Sequence, residues 1–504
     1  MRAVRILALG ATGAVGALKG LQMLANDDLD DVEYALNKLK ARVLSSFGSP
    51  SVIQSTGRKP RVVVLGSGWG ALSFLQKLDQ DKVELTIVSP RSFFFYTPLL
   101  AGTATGTVAS SSIVEPIRWY CQRSGHGGAT FVQAECTSVD VKKKKLKCIV
   151  NTDSVGRPFE CEYDFLIIAV GAEPVTFGIP GVREHTMFIK EVEDGINIQR
   201  RILQSLERAS ALLKCTSATA DVDKEVSKLL SWVIVGGGPT GVELTAELTD
   251  FIQQEVREYF PALVPKISLT LMEATDRCLL SFDKTLSAAA EKMLSARGAN
   301  VMCKTAVTRI KPDGTIEYKR AGAPGSLVAG TTIWAGGIAR RPVVEQIARH
   351  IDPYGKVQNS RYGLVVDGHL RVKGVTDNSV FAIGDCAVSG CAPTAQAAYQ
   401  QGKFLGRLFR DGFGEEPFRY AHRGSLAYTG GGTGVAELKA MLWDNHLSTS
   451  TRVEGSGAFA LWRSLYFSKL VSSRNQAQVL FDWAKAWVFG RDISTPFIKE
   501  KSDK

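Results

Sequence analysis

An α/β fold holding two copies of one parallel-sheet unit is predicted by two glycine-rich turns, Gly66-Ser67-Gly68-Trp69-Gly70 and Gly236-Gly237-Gly238-Pro239-Thr240-Gly241. Each follows a β-branched run and opens a helix. A third feature adds a tail. Between Phe459 and Phe489, aromatic and aliphatic residues are interleaved with Lys and Arg, a pattern for amphipathic helices on a membrane surface. The predicted architecture is therefore two Rossmann-like dinucleotide-binding domains followed by C-terminal membrane-binding helices. Two nucleotides on one chain suit the passage of electrons between cofactors.

In chain order, the first 25 residues contain Arg2, Arg5 and Lys19 and no acid, on a small and apolar body. This suits a mitochondrial presequence; a secretory signal and an anchoring helix are the other readings. Residues 1–60 are taken as presequence and linker. Arg61 to Leu65 reads as a buried strand, after which Gly66 allows the tight turn, Gly68 lets the backbone approach a pyrophosphate and Gly70 permits close packing of a helix over 69–78. The third glycine comes one residue early, and Ala71 holds the usual place. The strand over 83–88 ends in Ser89-Pro90-Arg91, so no carboxylate stands where a ribose acid belongs, although Ser89 can bond a ribose hydroxyl. Basic residues 142–145 read as a solvated hairpin turn. Residues 164–170 form another buried strand, ending at Gly171.

The second turn is the closer match, with Gly236, Gly238 and Gly241 at the expected spacing, Pro239 and Thr240 opening a helix to about residue 259, and a strand over 267–272 that ends in Glu273. A carboxylate there bonds a ribose diol and repels a 2′-phosphate, which favours NADH over NADPH. Residues 307–318 read as a second hairpin. Residues 380–387 place Gly384-Asp385 at a strand tip, where the aspartate can accept from a ribityl hydroxyl. The domain plan is 61–183 with 361–421 for the first nucleotide, 184–360 inserted for the second, and 422–504 as the membrane-anchoring region.

Composition bounds the function. A chain of 504 residues with 45% hydrophobic content buries more than one core. Nine cysteines without a C-x-x-C pair argue for a reducing compartment and against disulfide reductases. No metal-ligand set is assigned. The net charge of +11 calls for an acidic partner; no nucleic-acid motif is present, so anionic lipid is the candidate. The tail carries too many charges for a spanning helix, and a hairpin packed on the core or in a dimer interface is its alternative reading.

The order of first glycine turn, Val170-Gly171, second glycine turn, Trp334-Ala335-Gly336-Gly337 and Gly384-Asp385 resembles the two-dinucleotide-domain flavoprotein reductases. Ser89-Pro90-Arg91-Ser92, Thr97-Pro98-Leu99-Leu100, Gly171-Ala172-Glu173-Pro174, Gly236 to Glu243, and Pro393 to Gly402 narrow the likeness to the type II NADH:quinone oxidoreductases, the mitochondrial alternative NADH dehydrogenases, close to the fungal internal enzyme.

The resemblance implies that FAD uses the first turn, with Ser89, Arg91, Thr97, Pro98, Gly171, Gly384, Asp385 and Gln396 beside it. NADH uses the second, with Gly336 and Gly337 letting the nicotinamide approach. It implies that Gln396, Tyr399 and Gln400 stand at the ubiquinone, Tyr399 occurring where the yeast member has histidine. It further implies that Glu243 faces the nicotinamide and quinone side and assists electron or proton transfer. Implied also are a peripheral place on the mitochondrial inner membrane, a homodimer, and hydride transfer from NADH followed by two-electron reduction of quinone without proton pumping. The alternatives are an apoptosis-inducing-factor-like NADH-binding protein and a sulfide:quinone reductase-like enzyme, which needs cysteines at the flavin.

Overall fold

The computed structural model describes residues 58–121, 129–150, 156–216, 219–412, 416–441 and 448–494. The expected presequence, and the linker as far as residue 57, lie outside the described residues.

Six helices position the site: α1 (Trp69–Lys77), α2 (Val192–Cys215), α3 (Pro239–Phe251), α4 (Ala395–Asp411), α5 (Ser456–Ser468) and α6 (Ser473–Phe489). Among the described residues, the first sheet has seven strands. Five are parallel, in the order Val380–Ala382, Phe165–Ile168, Arg61–Leu65, Glu84–Ser89 and Thr130–Asp140, and an antiparallel meander, Lys145–Val150 then Arg157–Glu162, extends that edge. Val62, Val64 and Ile87 are wholly buried, as a parallel sheet covered on both faces requires. The strand from residue 380 pairs with the sheet begun at residue 61, so the chain leaves this layer and returns to it.

The second sheet is five-stranded and parallel, in the order Met187–Phe188, Thr331–Trp334, Ser231–Val235, Ser268–Met272 and Ala299–Met302. The expected hairpin is there, Thr305–Ile310 against Thr315–Arg320, and Ala323–Val328 adds a third strand to it. Val233, Met272, Met302, Ile316 and Trp334 fill a small core that includes both this sheet and the hairpin. A larger core continues through the rest of the molecule, from Val62 to Trp483.

Helices α1 and α4 approach until their backbones nearly touch. A Cβ on Gly402 would lie 2.2 Å from the Gly70 carbonyl oxygen. Small residues at this crossing hold α4 directly over the first glycine turn.

The C-terminal region is more than helices. It opens with a three-stranded antiparallel sheet, Gly424–Gly430, Thr433–Met441 and Ser448–Gly455, which the sequence reading did not anticipate. The two helices are where the aromatic pattern put them, but they face different ways. On α5, Ala458 and Trp462 are buried and Phe459, Leu465, Tyr466 and Phe467 half-buried, so its aromatic face lies largely against the protein. On α6, Val479 and Trp483 turn inward while Leu480, Phe481, Trp487, Val488 and Phe489 are exposed. No described helix is long and apolar enough to cross a membrane.

Candidate active site

At the first glycine turn, Gly66 takes φ +107°, and a Cβ there would sit 2.3 Å from the Ala169 carbonyl oxygen on the neighbouring strand's exit. Only glycine fits. Gly68 and Gly171 are the opposite case: a Cβ on either would meet nothing within 4 Å, so their surfaces are open beside the N-terminus of α1. Gly70 packs inward, towards Ile383.

The loops around this opening are tied together. Ser89 is buried, its hydroxyl donating to Ser67 Oγ (3.1 Å) and accepting from the Arg91 amide (3.2 Å). Arg91 pairs with Glu191 at the N-cap of α2, and its guanidinium lies 4.7 Å from the Phe95 ring centre. Thr97 Oγ1 accepts from Trp69 Nε1 at 2.9 Å. Gly384 donates its amide to Gln401 Oε1 at 2.6 Å, and Asp385 pairs with Lys190 at 3.3 Å. Gln401 and Lys190 were not singled out from sequence; a buried glutamine carries no local signal. Open glycine faces, a helix N-terminus and a carboxylate at the facing strand tip fit a flavin dinucleotide.

The second turn repeats this geometry. Gly236 has φ +115°, Gly238 is open, and a Cβ on Gly241 would fall 1.9 Å from the Gly236 carbonyl oxygen. Pro239 and Thr240 are exposed on the first turn of α3. Glu273 caps the adjacent strand, accepting from the Gly237 amide (2.6 Å) and the Thr275 amide (2.7 Å). Gly336 and Gly337 follow Trp334, whose Nε1 donates to the carbonyls of Val175 and Gly336. At Gly337 (φ +66°) a Cβ would strike Phe177 and Val175, each at 2.7 Å.

Helix α3 carries the chain from that turn into a cleft of about 950 Å³, its open mouth included, lined by Pro98, Glu243, Glu247, Tyr428, Phe459, Trp462, Trp483, Trp487 and Arg491 among others. Glu243 lies on the second turn of α3 and is buried. Its Oε1 accepts from Trp462 Nε1 on α5 (2.9 Å) and more weakly from the Tyr428 amide (3.4 Å). Burial dominates, pushing the carboxyl from 4.5 up to about 8.

One turn further, Glu247 Oε2 accepts from Thr105 (3.0 Å) and Thr107 (2.5 Å) and faces Arg491 at 3.6 Å. Arg491 also holds Glu255 at 2.7 Å, and Asp250 joins Arg297 and the Tyr428 hydroxyl. These partners were missed. Their signal was present in the spacing of Glu243, Glu247 and Asp250, which recur on one face of an otherwise apolar helix.

A run of ring contacts connects the two halves: Trp69 to Tyr96 (5.3 Å), Tyr96 to Tyr466 (6.3 Å), and Tyr466 to Trp462 (4.7 Å). Tyr399 on α4 stands edge-on to Trp69 at 6.3 Å. Gln396 and Gln400 are turned elsewhere. Gln396 Oε1 accepts from the Tyr420 hydroxyl and the Arg423 amide, and Gln400 spends both ends of its amide on the backbone of Ala421. The pair fastens the chain after α4, with neither residue among those lining the cleft.

Comparison with known proteins agrees with this geometry. The pyridine nucleotide-disulphide oxidoreductase family matches residues 60–402, and the NDH2 C-terminal domain matches residues 422–492. A probable mitochondrial NADH-ubiquinone oxidoreductase of Schizosaccharomyces pombe is 36% identical, covering 87% of this chain and 84% of that protein. The external NADH-ubiquinone oxidoreductase 2 of Saccharomyces cerevisiae is 35% identical, covering 87% and 82%. The structure of NDH2 from Plasmodium falciparum in complex with NADH superposes with a TM-score of 0.78 at 26% identity, covering 87% of this chain and all of that one. Because external enzymes stand among these relatives, the expected closeness to the internal fungal enzyme widens to the family as a whole.

Proposed function

The chain belongs to the NDH2 family of NADH-ubiquinone oxidoreductases, and from that premise we propose how its own residues divide the work of oxidising NADH and reducing ubiquinone. The observation that carries the reading is α3. It begins at the second glycine turn and, one turn later, buries Glu243 in the cleft under the C-terminal helices.

Gly236, Gly238, Pro239, Thr240 and Gly241 receive the NADH pyrophosphate on the α3 amides, and Glu273 at the next strand takes the adenosine ribose. Gly336 and Gly337 keep side chains away from the approach of the nicotinamide. Gly66, Gly68, Gly70, Ser89, Gly171, Gly384 and Asp385 would hold FAD, with Arg91 and Thr97 bracing the loops around it. When bound, FAD supplies the hydride acceptor and the two-electron donor. Pro98, Trp462, Tyr428 and the neighbouring rings form an apolar wall for a quinone head group, and Glu243, protonated at neutral pH, holds a proton where the reduced quinone takes one up. Tyr399 packs against Trp69 on the flavin side, outside the residues that line the cleft.

The exposed face of α6 seats the enzyme peripherally on anionic lipid of the mitochondrial inner membrane, opening the cleft towards the bilayer.

Cys386, the cysteine beside Asp385, is buried, bonded to the carbonyls of Ile168 and Ile383, and pushed up to about 11 by burial. Such a thiol is inert, which disfavours sulfide chemistry. Stopped-flow mixing of the flavoprotein with NADH and then ubiquinone tests the proposal. The expected result is rapid bleaching of flavin absorbance followed by quinone-driven recovery. Rapid bleaching with a long-lived charge-transfer band and no recovery overturns it in favour of an NADH-binding switch protein.

A further inference from the structure

Away from the cleft, Cys278, Glu291 and Cys303 bring three ligand atoms within 4.8 Å of one another. They come from three places in the second nucleotide unit: the loop after Glu273, the helix Lys284–Ala296, and the end of the strand Ala299–Met302. Cys278 is buried, and Cys303 and Glu291 are half-buried. The two sulfurs are 4.0 Å apart, and Cys303 Sγ lies 3.4 Å from Glu291 Oε1. The Cys303 thiol donates to the carboxylate, which leaves the Cys278 thiol to donate to the Cys303 sulfur.

The spacing can be compared with what a metal needs. In a tetrahedral zinc site, bonds of about 2.3 Å to sulfur and about 2.1 Å to oxygen set ligand separations of about 3.8 Å for S···S and about 3.6 Å for S···O. The observed 4.0 Å and 3.4 Å each differ by only about 0.2 Å, and the third pair, Cys278 with Glu291, lies within 4.8 Å. Two thiolates and one carboxylate suit a borderline-soft divalent ion and disfavour magnesium or calcium.

We propose that Cys278, Glu291 and Cys303 form a binding site for a zinc-class divalent cation beneath the NADH turn, with the fourth position left to water. On binding, two S–H bonds break, two metal–sulfur bonds and one metal–oxygen bond form, and two protons pass to solvent. The charge balances: one carboxylate before, and two thiolates, one carboxylate and a dication after, leave the same single negative charge, so loading adds no buried charge. The Cys278 backbone N–H already donates to Glu291 Oε1 at 2.7 Å and fixes the carboxylate from the outer shell.

The site is joined to the nucleotide turn. A Cβ on Gly237 would lie 2.8 Å from Cys278 Sγ and 2.9 Å from the Glu273 carboxylate, and the Leu279 amide donates to the Gly237 carbonyl at 2.8 Å. A cation there clasps the loop that carries Glu273 to the helix and strand behind it.

The test uses the reduced holo-flavoprotein, stripped with chelator, incubated with zinc chloride and desalted. One zinc per chain is expected by elemental analysis, and cobalt(II) in its place should give thiolate-type d–d absorbance to the red of the flavin bands. Cys303→Ser and Glu291→Gln should each weaken zinc binding by about tenfold or more, whereas Cys215→Ser, at an exposed thiol elsewhere, should not. If Cys303→Ser does not fold, the isosteric Glu291→Gln and zinc protection of Cys303 from alkylation in the wild type decide. No retained zinc, retention unchanged in both ligand variants, or recovery of Cys278 and Cys303 as a disulfide overturns the proposal.

Discussion

Glu243 shows how a single residue acquires a task from its surroundings. A glutamate in the second turn of an exposed helix is an ordinary solvated carboxylate, but here burial lifts its titration from 4.5 to about 8. The folded state therefore binds a proton that the unfolded chain releases. Stability is full below about pH 4.5 and falls as pH rises towards about 8, where the penalty of the buried charge is complete. Glu243→Gln should flatten that slope, which thermal unfolding at pH 5 and pH 8 measures; a slope equal to wild type would remove the assignment. In turnover, quinone reduction should decline as pH rises through about 8, and Glu243→Gln should lose this limb while kcat drops about 100-fold. Glu273 does its work in a more exposed setting. Its carboxylate holds the amides of Gly237 and Thr275, in line with an adenosine ribose on the turn. Glu273→Ala should shift the NADPH-to-NADH ratio of kcat/KM towards NADPH by about tenfold or more. Unchanged selectivity would leave Glu273 as a brace of the turn alone. Both glutamates stand out in the sequence as candidate site residues. Only the surroundings of Glu273 were legible, because they depend on a strand end and a turn close by, whereas the partners that bury Glu243 lie 185 and 219 residues away.

Among the elements, α3 is a rod with a different task at each end. Its N-terminus opens at the second glycine turn, and its flank presents Glu243, Glu247 and Asp250 to the cleft. The helix then widens into a π turn over Ile252–Val256. At 3.6 residues per turn, Glu255 would stand roughly 80° around the axis from Glu247. The extra residues taken up by the π turn bring it back to the same side, where Arg491 meets both. The C-terminal helices are unequal in the same way. Their composition predicted one amphipathic surface shared by two helices, and packing separated them: Trp462 of α5 closes over Glu243, while the outer face of α6 carries Phe481, Trp487 and Phe489, between 67% and 78% exposed. Periodicity reports that an apolar face exists and leaves open which neighbour covers it. Replacing Trp487 and Phe489 with Ser should reduce binding to anionic vesicles by about 100-fold while leaving NADH bleaching of the flavin intact. Sedimentation with vesicles measures this, and unaltered binding would move the anchor elsewhere. A deletion after Gly455 is a poorer test, since it also strips the cover from Glu243.

In the molecule as a whole, the C-terminus is clasped to the catalytic body. Asn475 at the start of α6 donates to the Val114 carbonyl, the Ala109 amide donates to Asp482, and Arg491 reaches Thr107, Glu247 and Glu255 in a nearly dry setting. Burial alone would lower the Arg491 titration, but the two carboxylates outweigh it and raise it, so the charge is held firmly. Arg491→Ala leaves two buried carboxylates without their cation and should destabilise the protein by about 3–5 kcal/mol, with Arg491→Lys falling between. Chemical unfolding followed by tryptophan fluorescence measures the difference, and a loss below about 1 kcal/mol would class the clasp with surface ion pairs. The Cys278, Glu291 and Cys303 cluster belongs to this scale too, since its members lie 12 to 25 residues apart and no C-x-x-C spacing announces them. By itself the sequence determined the two glycine turns, the parallel layers under them, the carboxylate at the end of the second unit's neighbouring strand and the amphipathic tail. Each of these rests on steric or periodic rules that act over a few neighbouring residues. Tertiary structure alone decided that Glu243 is buried under Trp462, that Gln396 and Gln400 fasten a chain segment, that α5 faces inward and α6 outward, and that Arg491 locks the tail. Burial, desolvation and charge pairing arise only when distant segments exclude water together, and no local pattern encodes that.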